Sequence, residues 1–257
     1  MQENTKESAA RFSRRQALAG AGAVTLAGVL AACGSDDETT EVATTDGGTA
    51  TVQAKTDGRT SANELFDESA SCSLTPQQTE GPYYFDVDRI RSDVREDREG
   101  APLRLALRVR DAASCEPIEN AVVEIWHCDA LGIYSGFVAA STGAGAGTDD
   151  ETFLRGAQVT NAEGIVQFKT IYPGWYRGRT VHIHAMVHLD RTSVLTTQLY
   201  FDDAFSEQIH ANAPYSQAAG RETFNSDDSI FDESLLLTLT GNSDGVTGAM
   251  TFDVESA

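Results

Sequence analysis

Basic residues are scarce in this chain. Its 257 residues include 19 Lys and Arg against 39 Asp and Glu, so the formal net charge is -20 and the pI is about 4.4. A protein that binds nucleic acid needs a basic surface to neutralise phosphates, so nucleic acid is not expected as a partner. The excess of carboxylates favours a soluble, well-hydrated surface instead.

Cysteine is also scarce, and no Cys-x-x-Cys pair occurs among the four cysteines. A structural zinc site is therefore not expected, because such sites are commonly built from cysteine pairs at this spacing. Cys33 lies near the N-terminus, which leaves Cys72, Cys115 and Cys128. In an oxidising compartment these three predict one disulfide and one free thiol, and the sequence does not determine which two residues pair.

A hydrophobic run long enough to span a membrane is missing as well. The run 17–32 is rich in Ala, Gly, Leu and Val, but it is short and its side chains are small. It follows the pair Arg14-Arg15 and ends in LAACG at 30–34, which resembles a bacterial lipoprotein cleavage box. We therefore predict a twin-arginine export signal at residues 1–32 and a lipidated Cys33 as the only membrane anchor of an extracytoplasmic protein. The alternative interpretation is a plain N-terminal helix.

Large apolar side chains are few between residues 33 and 69, where Asp, Glu, Thr, Gly, Ser and Ala dominate. Such a segment cannot bury enough surface to offset its chain entropy, so we predict a flexible acidic tether. Residues 70–257 remain, and they are long enough to form one domain with its own core.

The pattern of residues 70–257 predicts a β-rich domain. Leucines and a valine at 103, 105, 107 and 109 alternate with Arg and Ala, as in a half-buried strand. The turn residues Asn161–Gly164 predict a hairpin between strands at 153–160 and 165–171, and those at 241–245 predict another between the last two strands. Further strands are predicted at 121–128, 182–184, 194–201, 235–239 and 248–254, with a short helix from Asp202 or Asp203 to His210. The fold class is mostly β, a β-sandwich of short, mainly antiparallel strands with long loops.

Two histidines are separated by a single apolar residue in the segment His182-Ile183-His184. In a strand, residues two apart point to the same face, so both imidazoles can reach one point while Ile183 enters the opposite layer. Tyr176 precedes this segment on a Pro-Gly turn. The pattern is typical of a metal site built from imidazole and phenolate. The alternative is that these are polar residues on a solvated strand face, with Tyr176 at its rim.

Six segments together resemble the intradiol ring-cleavage dioxygenases, the family of protocatechuate 3,4-dioxygenase and catechol 1,2-dioxygenase, and in particular their exported single-chain members. The resemblance covers most of the chain from about Cys72 onward. The segments follow the family order and are TEGPYY at 79–84, VEIWHCDALGIYS at 123–135, FLRG at 153–156, PGWY at 173–176, HIH at 182–184 and TQLYF at 197–201.

This resemblance implies a non-haem iron(III) site with four protein ligands. The ligand positions of the family correspond to Tyr134, Tyr176, His182 and His184, and its pocket positions correspond to Arg179 and Gln198. One departure is His127, which stands where many members carry Gln. Strand alternation places it on the face of Val123 and Ile125, which favours a structural or hydrogen-bonding role over that of a ligand.

The chemistry that the resemblance implies is the cleavage of a catechol by dioxygen to a cis,cis-muconate-type product. Phenolates are hard anionic donors that stabilise Fe(III), which then acts as a Lewis acid on the diol. Tyr176 is the ligand that dissociates and accepts a substrate proton, whereas Tyr134 stays bound. Arg179 stabilises negative charge on the ring, and Gln198 orients Arg179 or the substrate.

Other interpretations and details stay open at this stage. The loops at 79–84 and 141–152 are expected to frame the mouth of the active site, and either Tyr83 or Tyr84 to touch the substrate. A metal-free β-sandwich binding module at the cell surface is the main alternative function, and a zinc or copper protein that uses the same histidine pair is another. The sequence determines neither the ring substituents accepted nor the oligomeric state.

Overall fold

The computed structural model describes residues 38–43, 49–54, 65–66, 72–87, 89–137, 150–190, 192–218, 220–242 and 245–256. The predicted export signal and Cys33 lie outside the described residues, as does the part 141–149 of the loop predicted at 141–152. No helix among the described residues is long and apolar enough to cross a membrane.

Most regular structure in the described part of the chain is β-strand. One α-helix, α1 (Asp203–His210), and three short 3-10 turns at Tyr215–Gln217, Asn225–Asp227 and Glu233–Leu235 complete it. The strands are β1 (Glu38–Ala43), β2 (Thr49–Ala54), β3 (Pro102–Asp111), β4 (Val122–Trp126), β5 (Arg155–Val159), β6 (Ile165–Ile171), β7 (His182–Leu189), β8 (Thr192–Tyr200), β9 (Thr238–Asn242) and β10 (Gly245–Val254).

Two four-stranded sheets form the domain, in the orders β6-β3-β10-β9 and β5-β4-β7-β8. The second sheet is antiparallel throughout, and the first contains one parallel pair, β10 with β3. The predicted class, a β-sandwich of mainly antiparallel strands, is confirmed. The predicted helix is also present, and its cap is Asp202, whose carboxylate accepts the N–H of Phe205 at 2.8 Å.

One of the two predicted hairpins is wrong. β5 pairs with β4 and β6 pairs with β3, so these consecutive strands belong to different sheets. A tight turn does form at Asn161–Gly164, where the Asn161 side chain accepts the N–H of Ile165 at 2.7 Å, but it carries the chain across the sandwich. The other hairpin, β9 with β10, is confirmed.

The inner faces of the two sheets form the main core. Leu105, Leu107 and Val109 of β3 face Ile125 of β4 and Ile183 of β7, and all five are fully buried. Alternation then directs the neighbours of Ile183 away from this core, to the outer face of the second sheet. The histidines of β7 therefore lie on the face that does not pack against the other sheet.

A disulfide between Cys72 and Cys115 anchors the start of the domain, and Cys128 is a buried free thiol. From Cys72 the chain runs as an extended arm along the edge of β8. The N–H of Gln78 donates to the carbonyl of Thr196 at 2.7 Å, and the hydroxyl of Thr197 donates to the carbonyl of Pro76 at 2.9 Å. The arm thus leads from the disulfide to the outer face that carries the histidines.

Removing this disulfide is expected to destabilise the domain without changing its fold. It closes a loop with a sequence separation of 43, and the chain-entropy relation then gives a loss of about 4 kcal/mol in the free energy of unfolding. Urea unfolding of a Cys72→Ser/Cys115→Ser double variant measures this loss. Wild-type protein in reductant should unfold at the midpoint of the variant, and a midpoint that reductant does not shift would contradict the prediction.

Within the predicted tether the structure describes two features. β1 and β2 pair with each other as a separate two-stranded sheet. Phe66 is buried against Ala106, Ile165 and Ala249 on the outer face of the first sheet, with the Arg108 guanidinium 4.5 Å from its ring centroid. The domain surface therefore extends to Phe66, and the tether stays a prediction for the remainder of 33–69.

Candidate active site

The His-x-His pair of β7 lies where alternation predicts it. His182 and His184 share the outer face of the second sheet, with Ile183 in the core, and both imidazoles are buried. Their ring centroids are 4.8 Å apart. His184 stacks on Trp126 of the adjacent strand at 5.0 Å and 5°, so the orientation of its ring is set by the sheet itself.

A backbone carbonyl fixes the tautomer of His182. Its Nδ1–H donates to the carbonyl of Thr180 at 2.7 Å, which leaves the lone pair of Nε2 directed at the site. Burial lowers the pKa of His182 to about 3, and the charge of Arg179 adds to that shift. Burial also takes the pKa of His184 well below its usual value. Both imidazoles are neutral at physiological pH and available as ligands.

Two tyrosines bring their hydroxyls to the same nitrogen. The Oη atoms of Tyr134 and Tyr176 lie 3.4 and 3.1 Å from Nε2 of His182. Burial raises the pKa of both phenols, and it takes the pKa of Tyr134 well above the ordinary value for tyrosine. Each of the four rings has its centroid within 6.2 Å of at least two of the others. The structure therefore brings together all four residues that the sequence singled out as ligands.

The loops that carry these tyrosines are locked together. Asp129 organises the first one, since its Oδ1 accepts the N–H groups of Leu131 and Ile133, both at 2.9 Å. The carbonyl of Asp129 accepts the N–H of Gly174 in the second loop at 3.0 Å. Gly132 has φ +84, and a Cβ there would lie 2.3 Å from the carbonyl oxygen of Trp175, so only glycine permits this approach.

Arg155 of β5 supports Tyr134 from behind. Its Nε donates to Ser135 Oγ and its Nη2 to the Ser135 carbonyl, both at 2.9 Å. Its guanidinium carbon lies 5.7 Å from the ring centroid of Tyr134. In the sequence, Arg155 stood out only as part of the FLRG segment at 153–156. In the structure, Arg155 places a buried positive charge beside one of the two phenols.

The chemistry of the four donors fits a trivalent cation. Two phenol O–H groups converge on the single lone pair of His182 Nε2, which cannot accept both of them well. A bound cation removes this conflict, because it replaces both protons and makes each phenol an anionic donor. Among the described residues no group of three or more His, Cys, Asp or Glu lies together. The described site therefore lacks the carboxylate of a two-histidine, one-carboxylate iron centre, and it has fewer His, Cys and carboxylate ligands than zinc sites commonly use.

Arg179 and Gln198 lie next to this cluster, in contact with each other. Arg179 Nη2 donates to Gln198 Oε1 at 2.5 Å, and the Arg179 side chain is only 15% exposed, so it is not a surface cation. Gln198 Nε2 donates to the carbonyl of Thr79 at 3.1 Å, which ties the pocket to the N-terminal arm. Sequence reasoning missed Asp228, whose carboxylate accepts Arg179 Nε at 2.8 Å.

The same arm brings one of the two adjacent tyrosines over the site. Tyr83 stacks on Tyr134 at 4.8 Å, and its ring centroid is 5.9 Å from that of Tyr176. Tyr84 instead contacts Trp126 at 4.8 Å. Gly81 makes this approach possible, since it has φ +71 and a Cβ there would lie 3.2 Å from Cε1 of His184. The arm therefore forms one wall of the site, with Tyr83 facing the ligand rings.

His127 does not join the four rings. It is fully buried, with Nδ1 2.7 Å from the carbonyl of Cys128 and Nε2 2.7 Å from the Thr170 hydroxyl. Both ring nitrogens are used, and burial lowers the pKa of His127 to about 4. Its position between the sheets agrees with the structural role predicted from alternation.

Comparisons with known proteins identify the family of this chain. A dioxygenase family model matches residues 78–233. An intradiol ring-cleavage dioxygenase from Tetranychus urticae is 37% identical, with a TM-score of 0.67 over 72% of this chain and 95% of its own. The dioxygenase domain of a dioxygenase carbohydrate-binding protein fusion from Streptomyces sp. SirexAA-E is 29% identical, with a TM-score of 0.56 over 72% of this chain and all of that domain.

Curated relatives are more distant. Catechol 1,2-dioxygenase 1 of Acinetobacter lwoffii is 29% identical over a 147-residue match, with coverage of 48% of this chain and 45% of that protein. Chlorocatechol 1,2-dioxygenase of Rhodococcus opacus is 30% identical over 128 residues, or 47% of its length. The chain thus spans about half the length of the curated relatives it matches. Together with the family match, the fold and the structural relatives, these similarities show that the chain belongs to the intradiol ring-cleavage dioxygenases.

Proposed function

We propose that this protein is a non-haem iron(III) dioxygenase that cleaves a catechol-type diol between its two hydroxyl-bearing carbons. The observation that carries the proposal is the convergence of two phenols on His182 Nε2, with the imidazole of His184 beside them. Membership of the family supports the same ligand set. Tyr134, Tyr176, His182 and His184 would hold the iron.

When bound, a ferric ion would supply Lewis-acid chemistry that chelates both catechol oxygens and makes the ring reactive toward dioxygen. The contribution of the protein is to provide the anionic ligands, a proton acceptor and a fixed charge. Tyr134 is fully buried and braced by Ser135 and Arg155, so it is suited to remain a permanent ligand.

Tyr176 is suited to accept a proton from the substrate. It is only half-buried and lies on the loop before β7, next to Arg179, whose charge works against the rise in the pKa of Tyr176 that burial causes. A phenolate at this position can leave its ligand role and take the proton at Oη as the diol binds.

Arg179 and Gln198 provide the fixed electrostatics of the pocket. A guanidinium held at a defined position, largely out of water, stabilises negative charge that develops on a bound ring without reorganising during the reaction. Tyr83 and Phe137, whose centroids are 5.4 Å apart, add an aromatic wall suited to a flat substrate. The product of ring opening is a cis,cis-muconate-type dicarboxylate.

We also propose that the protein acts outside the cytoplasm, exported by its twin-arginine signal and held at the membrane by Cys33. The disulfide between Cys72 and Cys115 supports this proposal, because such bonds persist mainly in oxidising compartments. A Cys33→Ser variant that is exported but released from cells would support the anchor, and a variant that stays membrane-bound would contradict it.

A visible absorption spectrum tests the proposed activity. The purified protein is expected to show a red-brown charge-transfer band that shifts when catechol is added without oxygen. Iron removal by a chelator should abolish the band and the consumption of oxygen with catechol, and ferric iron should restore both. A colourless protein that ferric iron cannot colour would contradict the proposal and favour a metal-free binding module.

A further inference from the structure

Asp228 lies beneath the guanidinium of Arg179. It follows the 3-10 turn Asn225–Asp227, and its side chain is 1% exposed. Oδ2 accepts Arg179 Nε at 2.8 Å and the N–H of Thr180 at 3.0 Å, while Oδ1 accepts the N–H of Ile230 at 3.0 Å. Burial acts to raise the pKa of Asp228, but these hydrogen bonds and the charge of Arg179 bring it below the usual value, so the group is ionised.

Two acceptors hold the guanidinium from different directions. Asp228 takes Nε, and Gln198 takes Nη2. A planar guanidinium with two of its nitrogens bound in this way has little freedom to turn. Neither of these hydrogen bonds uses Nη1.

The acceptors are themselves fixed by backbone groups. Asp228 is held by the N–H groups of Thr180 and Ile230, and Gln198 by the carbonyl of Thr79. The chain 221–230 is tied to the same turn a second time, because the Thr180 hydroxyl donates to Asn225 Oδ1 at 2.6 Å. Asp228 is thus placed by the fold before any substrate binds.

We propose that Asp228 is a positioning residue that acts through Arg179, holding its guanidinium at the substrate pocket. The inference rests on the proposed function, since it concerns the fixed charge of that site.

An Asp228→Asn variant of the full chain removes the charge and keeps the size of the side chain. Because misplacing a group in a site by about 1 Å can cost a hundredfold in rate, kcat for catechol should fall between about ten- and a hundredfold. KM should change by less than about threefold, since the ligands that chelate the diol are untouched. Iron content and the resting absorption band should equal those of the wild type.

The neighbouring Asp227 offers a matched control. It is exposed, and its side chain accepts the nearby N–H of Phe224 at 3.2 Å. Asp227→Asn makes the same change of charge one residue away and should leave kcat and KM unchanged.

A double-variant cycle separates positioning from general support of the fold. If Asp228 acts through Arg179, then Asp228→Asn should lower kcat in the wild type but not in an Arg179→Gln background. Three results would each overturn the proposal. They are an equal loss of kcat in both backgrounds, a loss of iron from Asp228→Asn, and a wild-type kcat in Asp228→Asn.

A second readout needs no iron. In the metal-free protein the Nε–H of Arg179 should give a ¹H–¹⁵N resonance, assigned by its absence in Arg179→Gln. Its exchange with water should be at least about tenfold slower in the wild type than in Asp228→Asn. Equal exchange rates would overturn the link between the two residues. A wild type with slow exchange but without iron colour or ring cleavage would instead refute the proposed function and leave the link standing.

Discussion

A Tyr134→Phe protein is expected to purify without iron and without the visible band. The substitution removes one oxygen from a fully buried side chain and keeps its ring, which stacks on Tyr83 at 4.8 Å. Ferric iron would then keep a single phenolate, which is too little anionic charge for tight binding in a site largely out of water. Because even the loss of a supporting hydrogen bond costs ten- to a hundredfold in metal affinity, the loss of a ligand should exceed about a hundredfold.

Iron per protein, measured by elemental analysis after reloading with ferric salt, gives the result directly. Tyr172→Phe is the matched control, because Tyr172 is equally buried but its hydroxyl bonds the Ser206 hydroxyl at 2.8 Å, away from the four rings. That variant should keep its iron and lose about 1 kcal/mol of stability. If Tyr134→Phe retained iron and a full-strength band, Tyr134 would not be a ligand.

The position of the histidine pair could be predicted from sequence because it depends on a local rule. In a strand, the period of two places His182 and His184 on one face whatever the rest of the fold does. The same rule agrees with the direction of His127, which directly follows β4 and brings its Nε2 to 2.7 Å from the hydroxyl of Thr170 in the facing sheet. The two tyrosines lie in loops, where no such period applies. Tyr176 could be suspected from its place on the Pro-Gly turn before the histidine pair, but only the resemblance to a family pointed to Tyr134.

The wrong hairpin shows the limit of turn chemistry. Asn161–Gly164 has the residues of a tight turn and forms one, with the Asn161 side chain accepting the N–H of Ile165. Whether the flanking strands then pair depends on which sheet has a free edge for each of them. β5 completes one edge of the second sheet and β6 one edge of the first, so the turn connects the layers instead.

The contact of Asp228 with Arg179 could not be predicted either, because it also depends on how distant segments fold together. Asp228 meets Arg179 across 49 residues of sequence, and neither residue lies in a regular element that would impose a spacing. Sequence patterns describe neighbours along the chain, whereas the support of a functional side chain comes from whichever segment folds against it. For the same reason, the sequence does not determine which cysteine pairs with Cys72.

Replacing Tyr176 by phenylalanine is expected to have a different effect from replacing Tyr134. Iron should be partly retained, because a hydroxide from solvent can replace the oxygen of the half-buried Tyr176, whereas the position of Tyr134 is fully buried. The shift of the band on catechol addition, however, should slow by at least about a hundredfold. The reason is that the variant lacks the group that takes up a substrate proton, and a positioned proton acceptor contributes a hundredfold or more. Stopped-flow absorption without oxygen measures the rate. Tyr84→Phe, which changes the same atom in a ring that contacts Trp126, should bind catechol as fast as the wild type.

The different roles of the two tyrosines follow from their surroundings. Tyr134 is enclosed by Tyr83 and by the Ser135–Arg155 contacts. Its oxygen therefore cannot move away from the site unless these contacts are broken. Tyr176 is half-buried on a loop whose next two residues, Arg177 and Gly178, are exposed, so its ring is less enclosed than that of Tyr134. A Tyr176→Phe protein that binds and turns over catechol at the wild-type rate would therefore contradict the assignment of the proton acceptor. It would leave the iron site itself intact, because that depends on Tyr134 and the histidine pair.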